Sequence, residues 1–393
     1  NGDPYTAFAR IAAMAAIMKA LGFDVAGGGG GSTAGGDGKM TYATGKGTVL
    51  GDSDATSKSI ANSLSILENV DTLTMQYSYE MLKSLRKIEQ TMAGVTSVIL
   101  RSSGMQQTAL GIQEGTTVNG VLGHVTNPFG APDPLLGKLL TGLFGSKTTI
   151  TGQGVYVNDA SYSQIRDEDI TAGYYTDINK KRKFLGMTTS DKNSTNYQES
   201  AELSQQFAKI LNSFVDVVKT AGDVLGVSGE EIDDKLKDFV LKIGKIDLKD
   251  LKGDEIKEKL MSVFGAAGDD IAKQALAGFE KYQQAGEGYL ETIVRVAVTT
   301  ETVRNTFDSL NRTIILTVDQ AMELVDAFGS LEEYSESTTN FLKDYYSAEE
   351  RKATLTRQVT AAMAKHNLEM PKSREEYRKL VEAQDLTTEE GRK

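Results

Sequence analysis

Cysteine is missing from the 393 residues, and so is tryptophan. Without cysteine there is no disulfide framework and no thiolate metal site, and the chain can pass between reducing and oxidising compartments without redox consequence. Histidine occurs only at His124 and His366, far apart in sequence. Neither belongs to an HExxH zinc pattern, and His124, within GVLGHVTNPFG, lacks the GxSxG surroundings of a serine nucleophile. A phosphate-cradling loop is lacking too: Gly38-Lys39 is followed by Met40, and Gly45-Lys46 by Gly47, where GxxxxGK[ST] requires serine or threonine. No apolar run approaches the roughly 20 residues that a helix needs to span a bilayer. Positive charge is in deficit, the net value being −11, which argues against a domain that binds duplex DNA sequence-specifically. Aromatic residues at 7% and hydrophobic residues at 39% are thin for one compact core, while the length leaves room for two or three domains. No residue pattern supports an enzyme, a cofactor or a metal.

What is present is helical periodicity, interrupted by glycine. The opening stretch, NGDPYTAFARIAAMAAIMKALGF, has no initiator Met and no basic leader, and reads as an amphipathic helix over 4–22, not a signal peptide. At the other end, LTTEEGRK sets Thr387 three residues before Glu390, the capping-box spacing that opens a helix, and then stops at Lys393; a longer polypeptide is expected. Between these ends the composition divides the chain. Residues 1–25 read as the end of an upstream helix, and 26–52, beginning AGGGGGSTAGGDG, as a Gly-rich linker. Residues 53–103 read as a coiled-coil-like helical segment, because Leu73, Tyr77, Met81, Leu85, Ile88, Met92, Val95 and Ile99 recur by threes and fours.

The middle, 104–192, is Gly-rich, apolar and the one place where strands are expected. KTTITGQGVYVND alternates β-branched residues around a Gly turn, and ITAGYYTDINKKRKFLGMTTS supplies two further strands. The run Lys180, Lys181, Arg182, Lys183 falls between those last two strands, either as a solvated hairpin tip or as a contact for phosphate, of lipid headgroups or of a DNA backbone. In PDPLLGKLLTGLFGS, the residues Leu135, Leu136, Leu139, Leu140, Leu143 and Phe144 form an apolar face with glycines between them. That segment is too short to span a bilayer alone, so it either packs on the chain's own helices, packs against copies of itself, or enters a membrane as a multimer.

Helices return over 193–330, and 331–393 is a further, truncated helical segment. Leu203, Phe207, Ile210, Phe214, Val217 and Leu225 mark one helix, Ser228 with Glu231 caps the next, and two short helices are expected around Gly265 and Gly268. A long helical stretch from Tyr289 to Phe328 has its weakest part in the β-branched TVRNTFDSLNRTIILTV, and further capping boxes lie at Ser347 with Glu350 and Ser373 with Glu376. The acidic clusters Glu230-Glu231 with Asp233-Asp234, and Asp269-Asp270, fit helix starts, where carboxylates favour the positive end of the dipole. The fold class expected is mainly α: extended helices and helical hairpins, with a smaller Gly-rich, partly β middle region.

Three segments together resemble a known family. GKGTVLGDSDATSKSIANSLSILENVDTLTMQYSYEMLKSLRKIEQTMAGVTSVILR, YYTDINKKRKFLGMTTS and YSAEERKATLTRQVTAAMAKHNLEMPKSREEYRKLVEAQDLTTEEGRK are similar to successive blocks in the C-terminal, tip-proximal part of tail tape measure proteins of long-tailed bacteriophages. The resemblance covers most of 40–190 and 230–393. It implies a structural virion protein that sets tail length, occupies the tail tube lumen and tail tip, and leaves to allow genome ejection into the host envelope. Its implied partners are tail tube, distal tail and hub proteins, copies of itself as trimer or hexamer, and transiently the host membrane, with no sequence-specific nucleic acid. A wholly helical chain of this length would reach on the order of 590 Å. Consecutive glycines, clustered prolines and strands rule that out, so the anchoring end of the ruler is expected here. Two other readings compete: a secreted pore-forming or membrane-active effector, and a peptidoglycan-degrading domain.

Overall fold

The computed structural model describes residues 76–109, 115–118, 145–184, 187–312, 316–365 and 368–383. The expected helix over 4–22, the glycine linker, the capping box at Thr387, both histidines and the Leu135–Phe144 segment lie outside the described residues. The chain divides into two compact units, one of 39–60 with 80–295, the other of 1–38 and 61–79 with 296–393. The whole is mainly helical, with a small antiparallel sheet in its middle.

The larger unit begins with most of α1 (Gln76–Ala109). Its stripe of Met81, Leu85, Ile88, Met92, Val95 and Ile99 is buried while Lys83, Lys87, Gln90 and Ala93 are exposed, as the spacing requires. Strands β1 (Gly115–Val118), β2 (Gly145–Val157), β4 (Ala172–Phe184) and β5 (Met187–Glu199) pair in that order, all antiparallel. Short β3 (Ala160–Ser161) and α2 (Tyr162–Arg166) lie between β2 and β4, α2 opening on a capping box at Ser161. The glycine turn expected in KTTITGQGVYVND is absent. The segment is one strand, and its irregularity is a bulge between Ile150 and Gly152.

After β5 come α3 (Ala201–Leu225) and α4 (Gly229–Leu236), each opened by a serine whose hydroxyl accepts a backbone N–H: Ser200 from Leu203 and Ser228 from Glu231. β6 (Val240–Leu241) pairs with β3, and β7 (Gly244–Asp247) adds to β2. The sequence announces no strand beyond residue 190, yet β5 runs to Glu199 and β6 and β7 follow. Polar STNYQE has no apolar alternation to announce a strand, and β6 and β7 are too short to show a period.

α5 (Gly253–Ala275) corrects another expectation, because it continues through Gly265 and Gly268 instead of breaking into two helices. A Cβ at Gly268 would stand 3.0 Å from the Phe214 ring and 3.1 Å from Leu290, so this glycine serves close packing on a helix interior. α3 carries the unit's core, with Phe207, Ile210, Phe214 and Val217 fully buried and the Phe207 and Phe264 rings 4.8 Å apart. A 3-10 turn, Glu280–Tyr282, leads to α6 (Tyr289–Ser309), which is buried on nearly every side as far as Val303.

α6 stops at Ser309 instead of running to Phe328. Asn311 takes a left-handed φ of 53°, and Thr317 with Gln320 forms a capping box that starts α7 (Val318–Phe328). The break falls inside the β-branched stretch already singled out as weak helix. α8 (Leu331–Tyr345), α9 (Ala348–Lys365) and α10 (Arg374–Glu382) complete the smaller unit. Its core gathers Val303, Phe307, Leu316, Ala321, Leu324, Val325 and Tyr334, with the Phe328 and Tyr334 rings edge to face at 5.2 Å. The capping serines Ser347 and Ser373 accept the N–H groups of Glu350 and Glu376, as their spacing predicts.

Candidate functional site

The four basic residues singled out in the sequence occupy β4 itself, not the turn after it. Because side chains alternate along a strand, Lys180 and Arg182 share one face while Lys181 and Lys183 share the other. The register adds two cations that the sequence could not supply: Lys192 of β5 stands opposite Lys180, and Lys147 of β2 stands opposite Lys181. All six are exposed. Each face therefore carries three.

Two of these pairings set like charges directly across the ladder, which weakens a sheet. Stability alone does not account for that choice of residues. Relief comes from one carboxylate: Asp191 lies opposite Lys181, 3.2 Å from its ammonium, and accepts from Asn179 Nδ2 at 2.6 Å. The Asn179 and Lys181 contacts hold the Asp191 carboxyl below its ordinary range. Near the hairpin's end a register shift separates Arg182 from Lys183, and Met187 projects with 67% of its surface exposed.

A second cluster lies at the other end of the same strands. Lys245 on β7 donates to Asp177 at 2.7 Å and Thr195 at 3.0 Å, and its ammonium sits 4.8 Å from the Tyr175 ring centre and 5.5 Å from that of Tyr197. Tyr156 meets Tyr197 edge to face at 5.0 Å. Gly154 makes this crossing feasible, since a Cβ there would lie 2.0 Å from the Ile246 carbonyl oxygen. A cleft of about 330 Å³ opens beside the cluster, lined by Tyr156, Val157, Asn158, Tyr197, Gly244 and Lys245.

Hydrogen bonding to Asp177 raises the Lys245 pKa, which favours the protonated amine. Burial alone would lift Asp177, but Lys245 and Thr195 bring it below its ordinary value. Burial, aided by Asp247 and Asp177, pushes the Tyr175 hydroxyl upward.

The acidic clusters have structural employment. Glu230 and Glu231 occupy the first turn of α4, as expected, whereas Asp233 accepts from the Tyr162 hydroxyl and pairs with Lys219 at 2.6 Å. Asp269 and Asp270 are not at the start of their own helix; they lie late in α5. Asp269 instead accepts the Leu290 N–H at 2.8 Å and so caps α6 from a neighbouring element. Burial raises its pKa to about 6 despite that bond. Glu301, likewise buried, accepts the N–H groups of Tyr77 and Ser78 at 3.0 and 2.7 Å, at the beginning of α1. Glu287 and Arg295 form a buried two-pronged pair at 2.6 and 2.9 Å, with the Thr292 hydroxyl and the Gln284 N–H completing the carboxylate's partners.

Among the described residues no group of three or more His, Asp or Glu is placed to hold a metal ion, and no helix is long and apolar enough to cross a membrane. Leu135, Leu136, Leu139, Leu140, Leu143 and Phe144 lie outside those residues. The site that the described geometry assembles is thus the basic hairpin, with the tyrosine–lysine cleft at its base. The chain matches no protein-family model, no curated protein and no solved structure.

Proposed function

We propose that this chain is a structural segment of a phage tail tape measure protein, acting through contact with other chains and not by turnover. In this reading it occupies the distal tail tube and tip, touches tube, distal tail and hub proteins and copies of itself, and departs when the genome is ejected, meeting the host membrane on the way. The finer description of extended helices and helical hairpins belongs to the same proposal.

The observation that supports it most is the hairpin's arrangement of cations. In a chain of net charge −11, six cations stand on both faces of one sheet end, in pairings that weaken the sheet carrying them. Such a surface suits docking. The carboxylates of Asp269, Glu301 and Glu287, by contrast, cap helices or pair with arginine, which is structural work. Segment resemblance supplies the identity of the partners, and the glycine-broken composition supplies the position near the tip.

Mass spectrometry of purified virions tests the reading. Peptides from residues 145–383 should be found in particles, and antibody against the chain should decorate tail tips. Absence from virions, with the chain secreted free of particles, would instead favour the effector.

A further inference from the structure

Two features of the β4–β5 hairpin occur together at one end. Six cations flank it, Lys147, Lys181 and Lys183 on one face and Lys180, Arg182 and Lys192 on the other, with Asp191 paired to Lys181 on the first face. Beyond them stands Met187, the most exposed large apolar side chain among the described residues. Its place in the register, opposite Phe184 and one pair past Lys183 and Thr188, puts it at the end of the paired strands.

A nucleic acid would use the cations and leave the exposed Met187 without a role. A bilayer approached side-on would meet one face and leave three cations facing water. End-on approach uses both features: Met187 meets the interfacial layer while both basic faces reach the headgroup phosphates around it. The scale fits. Lys183 back to Lys180 spans about 10 Å of strand, comparable to the Debye length of about 8 Å over which an anionic leaflet is felt at physiological salt. The acidic remainder of the chain then keeps the rest of the molecule off the same surface, which favours one docking orientation.

We propose that the β4–β5 hairpin is a docking element for an anionic lipid surface, entering it end-on with Met187 leading and the cations of both faces meeting headgroup phosphates. This inference stands on the hairpin alone: its failure leaves the virion test untouched, and failure of the virion test leaves the lipid contact to be explained in an effector.

Flotation of the full chain with phosphatidylcholine vesicles, with and without about a third phosphatidylglycerol, tests it. The chain should bind the anionic vesicles only and be released as salt rises. K180E/R182E and K181E/K183E, one pair per face, should each reduce binding on the order of tenfold, and Met187→Glu should also reduce it. The arginine variant K180R/K181R/K183R should bind normally, which separates charge from folding, with circular dichroism as a check on every variant. Equal binding by all variants would place any lipid contact elsewhere in the chain and overturn the proposal, as would loss from one face only, the mark of side-on docking. Tight binding to a DNA duplex that Met187→Glu leaves intact, without vesicle binding, would assign the cations to nucleic acid and overturn it equally.

Discussion

Asp269 is under two opposed demands. Its carboxylate caps α6 by accepting the Leu290 N–H, yet burial disfavours its charge and raises its pKa to about 6 from an ordinary 3.8. Between those two pH values the unfolded chain has released this proton and the folded chain still holds it. Stability contributed by this group is therefore complete below about pH 4 and declines as pH rises through 6, by roughly 3 kcal/mol in all. Asn at this position keeps an oxygen to accept the same N–H and has no charge to bury. Asp269→Asn should leave urea-denaturation stability unchanged at pH 4 and raise it at pH 8, flattening the profile between. A variant that is less stable than the parent at pH 8 would show that the ionised cap outweighs its desolvation.

At the scale of the element, α6 is the telling case. A helix buried on nearly every side is normally apolar all round, but YLETIVRVAVTTETVRNTFDS is rich in threonine and acid. Several of its polar groups have partners in place: the Thr300 and Thr302 hydroxyls donate to carbonyls four residues back, the Thr292 hydroxyl donates to Glu287, and Arg295 locks to Glu287 and to the Tyr282 carbonyl. The Arg295 and Glu287 side chains are 12% and 4% exposed, so breaking the pair strands a buried charge. Arg295→Met should cost about 3–5 kcal/mol in denaturant unfolding, and adding Glu287→Gln should recover part of that loss. No recovery in the double variant would mean that packing, not the stranded carboxylate, sets the cost. Sequence periodicity read some elements well for physical reasons: the α1 stripe is strictly spaced, and the serine caps at Ser228, Ser347 and Ser373 act locally. It misread α5, because a glycine that admits Phe214 and a glycine that ends a helix look alike in one dimension. β5 was unreadable in its polar half, since its order comes from pairing with β4. The same holds for the site: Lys180–Lys183 were legible as a run, whereas Lys147, Lys192 and the tyrosines around Lys245 join it only through register.

At the scale of the whole molecule, the tail reading makes a demand on length that helices alone can meet. A ruler needs constant rise, about 1.5 Å per residue. The sequence of this chain carries a glycine-rich stretch at 26–38, and among the described residues the helices are interrupted by a five-stranded sheet and the longest has 34 residues. Adding residues here should therefore not lengthen a tail. In a phage that carries the gene, about thirty residues inserted between Ala26 and Gly38 should leave tails at parental length by electron microscopy. The same insertion in an upstream helical repeat should extend them by on the order of 45 Å. If the insertion in the glycine stretch lengthened tails by that amount, the segment would be part of the ruler, and the division between a measuring portion and a docking portion would fail. If it left length alone but blocked infection, the defect would fall on what this portion touches after release, where the basic hairpin is the surface to alter next.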